Sequence, residues 1–595
     1  MIRTILARVL ILGSLASAVF ADGHDTMMVA WDGTPGYLES TIMGDTTSDG
    51  SQAHDVYMLE SNKVYLQLSE INLYTSCAIV GAPYGDGEHP ATIQPIGGSD
   101  GASQFTGWPQ NNFKTYGMHQ TYQFKNLLMN GVYADEIDAL FGVLATYGES
   151  NVIIVDHVTS VHNSVITYFN FGRAERWHLT NNKAVQYTSY PGGMYFGGFF
   201  WGGGGWGGTL IELLVQNNTI EGAHGEGMVL WDNTIINGYN DARIDHNTFV
   251  NIINWPKFYR GGNNSMWTNN LFVNMVSGPQ THNFHGQGPS LNLPGGLGYM
   301  ATPSQSECTD SLLLALGRCW DNNNREIHYE NNAWVATDEM LDLFNMEPWC
   351  WDVTDTNDVT TTFCDTMIGG PSSTYDYNQA RWMDDSTEAQ MVNGISESNN
   401  LHATDLGFNL DPVYINTQIA RTMDWLDNKV HDTHTDKWWN HQADGNKIVV
   451  EWPLPMDFSY STSSAAYTHG HNGSPVGDLN HFPDAYATWE ALSTDNDNQK
   501  ITPDKFALSQ NYPNPFNPTT EISFTMDQAS SVSLTVFNML GQKVRVLENA
   551  SLEAGTHSYN WDGRDDLGQS VSTGVYLYTL SDGSKSITKK MALMK

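Results

Sequence analysis

One short phrase recurs between Leu213 and Met275, and it limits what this chain can fold into more than any other feature. It reads L-V-Q-N-N-T-I at 214–220, L-W-D-N-T-I-I at 230–236, I-D-H-N-T-F-V at 244–250 and W-T-N-N-L-F-V at 267–273. Each copy runs from a hydrophobic residue through polar residues ending in Asn to β-branched or aromatic residues. Aligned on Asn218, Asn233, Asn247 and Asn270, the spacings are 15, 14 and 23. A fifth copy, Y-E-N-N-A-W-V, follows an insertion at 329–335, and weaker relatives stand at 123–129, 154–160 and 179–185. A unit this short cannot bury an apolar face alone, whereas stacked units share one core, so the pattern predicts a solenoid of short strands. Asn suits a sharp corner between strands because it tolerates the left-handed backbone. Its amide can also hydrogen-bond the equivalent Asn one repeat away. The alternation predicts these four Asn at corners, with Ile220, Ile235, Phe249 and Phe272 inside.

These repeats resemble the right-handed parallel β-helix of the pectin-lyase-like superfamily, in which Asn ladders occur at such turns. The resemblance covers about residues 55–480. It implies an all-β chain built on a right-handed parallel β-helix. It narrows the chemistry far less, because that superfamily includes lyases, hydrolases, epimerases and non-catalytic adhesins.

The two ends read differently. Residues 1–21 carry Arg3 and Arg8, a short apolar run Val9–Leu15 and V-F-A at 19–21, the pattern of a secretory signal peptide. That apolar run is too short for a membrane anchor, and no later stretch reads as a transmembrane helix. The expected β-helix domain spans 22–492, with an irregular insertion at about 277–400 and a capping segment around 467–483. A polar linker at 493–505 leads to a tail, 506–595, of six or seven short alternating strands, which suggests a small Ig-like β-sandwich. The tail contains N-Y-P-N-P-F-N-P, L-G-Q at 540–542, W-D-G-R-D-D-L-G at 561–568, S-T-G-V-Y at 572–576 and a terminal K-K-M-A-L-M-K. These motifs closely resemble the type A sorting domain of the type IX secretion system. The resemblance implies passage through the Sec pathway and then the type IX secretion machinery to the outer cell surface or the medium.

Charge bounds the partners. The chain has a formal net charge of −38, and residues 22–501 hold 17 basic against 56 acidic residues. That excess argues against nucleic acid and anionic membrane surfaces. Five cysteines are present. Cys77 lies in an apolar run and reads as a buried thiol. Cys308, Cys319, Cys350 and Cys364 cluster in the insertion, where an exported setting favours disulfides. Three pairings are open; Cys308–Cys319 and Cys350–Cys364 close the shortest loops.

Acidic polysaccharide is the substrate class that the resemblance implies. β-Elimination from a uronate needs a base, often Arg or Lys, and a group that neutralises the carboxylate, often Ca2+ on acidic side chains. Basic residues are scarce, yet Arg243, Lys257 and Arg260 fall close together, so Lys257 and Arg260 are the candidate base and Arg243 the candidate carboxylate partner. His246 and Tyr259 adjoin them as candidate substrate-binding residues. The glycine-rich run M-Y-F-G-G-F-F-W-G-G-G-G-W-G-G at 194–208 offers Tyr195, Phe199, Trp201 and Trp206 for stacking on sugars, or else folds down as a lid over core. Asp352, Asp355 and Asp358 form an acidic run that would take Ca2+, without EF-hand spacing. Paired carboxylates for a glycoside hydrolase are not distinctive, because Asp232 and Asp245 sit at the polar corners of the repeat. The reading is a secreted or cell-surface protein that binds or degrades polysaccharide, as a lyase or a hydrolase. The alternative is a non-catalytic adhesin or matrix protein that uses the solenoid as a stalk.

Overall fold

The computed structural model describes residues 25–48, 50–85, 87–96, 105, 110–133, 140, 142–163, 166–187, 198–202, 209–223, 228–230, 241–252, 257–259, 264–274, 299–300, 326–335, 349–354, 360–365, 395–403, 406–410, 450, 452–497, 507–508, 511, 516–526, 530–538, 542–552, 555–582 and 586–594. The chain divides into two compact units, with the boundary between Trp489 and Glu490. The structure is mostly β.

In the larger unit every strand of the two main sheets is parallel to its neighbours, one of 19 strands and one of 8. The strands form three columns that the chain visits in a fixed order. Ile166–Asn170 lies in column three, Glu175–Thr180 in column one and Lys183–Tyr187 in column two. The chain then returns to column three at Gly198–Gly202, which pairs in parallel with Ile166–Asn170. Parallel strands need such a crossover, and side chains that alternate along each strand point into one shared interior. Column one contributes Trp177, Leu179, Leu213, Val215, Ile244, Trp267 and Tyr329 to that interior, all buried. Column two contributes Ile220, Phe249, Phe272 and Trp334, also buried, as the alternation predicts for the first three. Phe249 stacks on Phe272 with ring centroids 5.1 Å apart, and Phe272 on Trp334 at 5.6 Å. Cys77 is a buried free thiol whose pKa burial pushes up to about 12.

The corner between columns one and two divides the work expected of a single Asn between two successive residues. The first takes the left-handed backbone: Asn181, Asn217, His246, Asn269, Asn331 and Asn399 all have φ between 52° and 58°. The second forms the ladder. The backbone N–H of Asn182 donates to Asn218 Oδ1 at 2.9 Å, Asn218 to Asn247 at 3.0 Å, Asn247 to Asn270 at 3.0 Å, Asn270 to Asn332 at 2.9 Å and Asn332 to Asn400 at 3.0 Å. Val158 N donates to Asn182 Oδ1 at the other end.

Two expectations are corrected here. Asn218 bonds Asn247 directly, 29 residues on, so the copy at 230–236 supplies no step of the ladder. Its first residue, Leu230, ends a column-three strand, Met228–Leu230. One circuit is about twice the repeat spacing there, so similar phrases mark two different places on the circuit. Asn233 and Ile235 lie outside the described residues.

The second correction concerns the capping segment, which does not lie across an end. It runs lengthwise along successive corners of columns one and two. His469 Nε2 meets Asn399 O at 2.6 Å, His471 N donates to Asn269 Oδ1 at 2.9 Å and Gly477 N donates to Asn269 O at 2.7 Å. Thr219 Oγ1 donates to Asp478 Oδ2 at 2.7 Å, and Asn480 Nδ2 donates to Asn217 O at 3.1 Å. Gly477, at φ 95°, packs where a Cβ would strike Thr248 and Leu271. The reason is polar matching: corner carbonyls, amides and hydroxyls facing outward need partners, and a loop rich in His, Asn and Ser supplies them. A helix Pro483–Asp497 follows and enters the stretch expected as linker. Pro at its first position and a run of Ala, Leu, Trp and Glu favour it. At the N-terminal side, the helix Tyr37–Gly44 buries Leu38 and Ile42 against the same core.

The smaller unit is an Ig-like domain of two antiparallel sheets. Ala507–Leu508, Thr520–Met526 and Gly555–Trp561 form one; Lys543–Leu552, Ser530–Asn538, Gly574–Ser581 and Ser586–Leu593 form the other. Ile522, Phe524 and Trp561 meet Leu534, Val536, Tyr578 and Leu593 in one core.

Candidate functional site

Column one turns every second residue outward, and strand register aligns those residues into rows along the stack. One row passes through Ile154, His178, Leu214, Arg243, Met266, His328 and Ser396. Beside it run Arg176, Glu212, Asp241, Asn264 and Glu326 on one side. On the other side run Lys125, Asp156, Thr180, Gln216, Asp245, Thr268, Glu330 and Ser398. Parallel strands lie about 4.8 Å apart, so the two flanking rows carry a polar residue at that interval, whereas the central row alternates apolar and polar residues from Ile154 to His328.

Three polar clusters stand on this face. His178 Nε2 lies 2.6 Å from Glu212 Oε1, and Arg176 Nε lies 3.9 Å from Glu212 Oε2. Asp245 is the hub of the second. Its Oδ1 accepts from Thr268 Oγ1 and Asn269 Nδ2, both at 2.7 Å, and its Oδ2 from Arg243 Nη2 at 2.7 Å and Gln216 Nε2 at 3.0 Å. Burial opposes ionisation of Asp245, yet the charges of His246 and Arg243 and the hydrogen bonds hold its carboxyl well below the usual range. In the third, His328 Nδ1 lies 2.7 Å from Ser396 Oγ, which donates to Glu330 Oε1 at 2.6 Å. Asp156 repeats the hub arrangement nearer the N-terminus, with Lys125 Nζ at 3.0 Å and Thr180 Oγ1 at 2.9 Å. Asp156, His178, Thr180, Gln216, Asp245 and Thr268 are themselves buried, so the groups of these clusters left partly exposed to a ligand lying along the stack are Arg176, Glu212, Arg243, His328 and Glu330.

The expected site residues separate. Arg243 is on this face, committed to Asp245. Lys257 and Tyr259 belong to the strand Lys257–Tyr259, in column three, paired with Met228–Leu230. They therefore share no strand row with Arg243. Asp352 lies in the strand Trp349–Thr354, where Cys350 is the register partner of Cys364 in the antiparallel strand Thr360–Asp365. Arg260, Tyr195, Trp206, Asp355, Asp358, Cys308 and Cys319 lie outside the described residues. Among the described residues no group of three His, Cys, Asp or Glu is arranged to hold a metal, and no helix is long and apolar enough to cross a membrane.

Three expected sugar contacts are corrected. On the column-three strand Gly198–Gly202, Phe199 is a core side chain, whereas Trp201, 7% exposed, lies in the outward row with Ala145 and Phe169 and is covered there. Phe199 packs edge-on against Tyr168 with centroids 5.2 Å apart, and Trp201 against Phe169 at 4.8 Å. An aromatic in a strand that joins the stack gains more by burial than by facing water. His246 is buried as well. Its Nε2 lies 3.0 Å from Ser474 Oγ, its ring packs against Trp489, and its Nδ1 lies 3.2 Å from Asp245 Oδ2 without hydrogen-bond alignment.

A second corner, between columns three and one, escaped the sequence reading. Tyr74, Tyr116, Tyr147 and Phe171 stand on consecutive circuits and stack ring on ring, with centroids 5.3, 5.3 and 5.2 Å apart. The three tyrosines are 58%, 38% and 36% exposed. Glycine follows each of the last three aromatics. A Cβ on Gly117 would strike the Tyr122 hydroxyl, one on Gly148 the Gly117 carbonyl, and one on Gly172 the Glu175 carboxyl. The signal was present as T-Y-G at 115–117, T-Y-G at 146–148 and N-F-G at 170–172. Met118, Glu149 and Arg173 follow as bridge partners, and Arg173 Nη1 donates to Glu149 Oε2 at 3.1 Å.

Comparison with known proteins bears mainly on the smaller unit. Residues 510–586 match the FlgD Ig-like domain family. No curated protein matches the chain. Among solved structures, PorZ, a surface component of the type IX secretion system of Porphyromonas gingivalis, matches over 15% of this chain and 12% of its own, at 24% identity and TM-score 0.12. Dimeric latent PorU from the same organism matches over 16% of this chain and 10% of its own, at 18% identity and TM-score 0.13. This chain thus spans about a tenth of the length of each of those two structures.

Proposed function

We propose that the protein is exported and that its larger unit is a right-handed parallel β-helix that binds and degrades polysaccharide. The tail then acts as a sorting domain addressed to the type IX secretion machinery, and the protein ends at the cell surface or in the medium. The observation that carries the polysaccharide reading is the outward face of column one. Partly exposed charged groups stand there at Arg176, Glu212 and Arg243 on three successive strands and, one strand further on beyond Asn264–Thr268, at His328 and Glu330. A linear polymer lying along the stack would meet cationic and anionic groups in turn, interrupted by Leu214 and Met266 in the central row. The sorting reading is supported by the tail's motifs and by its match to an Ig-like family.

On the lyase version, Lys257 or Arg260 is the base and Arg243 the carboxylate partner, with Ca2+ as an added bridge. Lys257 and Arg243 belong to different columns, so such a substrate must span the corner between columns three and one. The non-catalytic reading, an adhesin or matrix protein, draws support from pairing: Arg243 is held by Asp245, and Arg176 and His178 by Glu212.

Incubation with polygalacturonate, alginate and neutral glycans separates the readings. A lyase releases the ultraviolet absorbance of an unsaturated uronate, a hydrolase releases reducing ends alone, and an adhesin binds without product. The chain's charge of −38 repels a polyuronate at low salt. Because the screening length falls from about 30 Å at 0.01 M to about 3 Å at 1 M, uronate turnover should rise with salt. Uronate turnover that falls steadily with salt would show that local attraction to basic groups, and not repulsion by the net charge, governs the encounter. For the tail, deletion of 502–595 should block release from the cell while leaving the larger unit folded. Normal secretion of the truncated chain would remove the sorting role.

A further inference from the structure

We propose that the corner between columns three and one is a binding surface for a linear neutral polysaccharide, with the stacked Tyr74, Tyr116 and Tyr147 as its floor. The proposal rests on the reading that the larger unit binds polysaccharide, and it names a glycan class and a surface other than the outward face of column one.

The first argument is exposure. The stacked rings of Phe249, Phe272 and Trp334 are buried and account for themselves as core. The tyrosine stack buries far less, since Tyr74 is more than half exposed. Met118 adds a 55% exposed apolar side chain on the same corner. Large apolar groups gathered in water are uncommon unless something covers them.

Geometry supplies the second argument. The rings advance along the stack by 5.3 and 5.3 Å, one per circuit. An extended glycan also advances by about one strand spacing per sugar, so successive sugars can stay in phase with successive tyrosines. Each phenol offers an apolar edge together with a hydroxyl that both donates and accepts, the combination that suits a sugar's CH face and its hydroxyls. The rings are already clamped by one another and by glycine-bearing turns, so little side-chain freedom is lost on binding.

Charge decides the class of glycan. Beside Tyr116, Glu70 is bound to Lys114 at 2.6 Å; beside Tyr147, Glu149 is bound to Arg173 at 3.1 Å. Among the described residues these charges are cancelled in pairs, which gives a polyuronate little to bind in a chain this acidic.

The test is retardation of the full chain in native gels cast with a soluble mixed-linkage β-glucan, a galactomannan or polygalacturonate. A neutral glycan should retard the wild type, with little dependence on salt. The double variant Tyr116→Ala/Tyr147→Ala should weaken that retardation about tenfold, the loss of roughly 1.4 kcal/mol of binding. Tyr74→Phe/Tyr116→Phe/Tyr147→Phe keeps the stack and removes only the hydroxyls; it should bind several-fold more weakly at an unchanged melting temperature, and it decides the matter if the alanine variant fails to fold. Wild-type affinity in both variants overturns the proposal. Retardation by polygalacturonate alone also overturns it, while leaving the broader polysaccharide reading in place. Retardation by none of the three removes both.

Discussion

Replacing Asn247 by Ala is expected to lower the unfolding free energy of the larger unit by on the order of 5 kcal/mol. Asn247 sits in the middle of the corner ladder, fully buried. Its Oδ1 accepts from Asn218 N at 3.0 Å and Asn218 Nδ2 at 2.8 Å. Its Nδ2 donates to Val215 O at 2.9 Å, Asp245 O at 3.2 Å and Asn270 Oδ1 at 2.9 Å. Alanine removes all five at once in a place water cannot refill without opening the corner. Each buried group left without a partner costs about 1–3 kcal/mol. Asn400 stands at the last step and is only partly buried, so Asn400→Ala should cost much less. Denaturant unfolding of the two variants is the measurement. A cost below about 1 kcal/mol at Asn247, or equal costs at the two sites, would mean that the ladder decorates the corner instead of holding it.

The repeat made the core and the ladder legible because both depend on local pattern. Ile220, Phe249 and Phe272 follow from alternation along single strands, and the Asn residues from the demands of one corner. What alternation cannot give is the circuit length. L-W-D-N-T-I-I at 230–236 looks like a rung corner, yet the ladder steps from Asn218 to Asn247 without it. For the same reason Lys257 and Arg243, close in sequence, fall in different columns. The tyrosine corner was missed because its phrase is only three residues long and its first member, Tyr74-Thr75, lacks the glycine. Phe199 and Trp201 were open to either reading from sequence, since an aromatic among glycines stacks on a sugar or on a core equally well. Only membership of a column-three strand decides, with Phe199 in the core and Trp201 covered in the outward row beside Phe169. The lengthwise course of 469–480 was illegible because its partners lie from 70 to 263 residues away and are mostly corner backbone and hydroxyl groups.

As pH rises from about 4.5 through 7 the larger unit should lose stability, and Glu175 should account for on the order of 3 kcal/mol of the loss. Glu175 opens a column-one strand with its carboxyl turned into the interior, fully buried. Oε2 accepts from Thr146 Oγ1 at 2.5 Å and Trp177 Nε1 at 3.2 Å, and Oε1 accepts from Asn151 Nδ2 at 3.1 Å. Burial raises its pKa to about 7 from 4.5, and these three hydrogen bonds only moderate the rise. The folded chain therefore holds a proton that the unfolded chain gives up between about pH 4.5 and 7. Stability tied to that proton is fully present below about 4.5 and drains away as pH rises through 7. Glu39 and Glu70, also raised by burial, act in the same direction. Asp156 and Asp245 are lowered despite burial, through His157 and Lys125 in one case and His246 and Arg243 in the other; the stability they contribute is lost on acidification below their ordinary range. The unfolding free energy should therefore peak on the mildly acidic side. Glu175→Gln cannot ionise, and it sacrifices one of the two bonds to Oε2, so the variant starts lower at pH 5. Its decline from pH 5 to 8 should nevertheless be shallower than that of the wild type. A wild-type profile flat across that range, or a variant profile of equal slope, would show that the interior carboxyl at 175 does not carry the proton assigned to it.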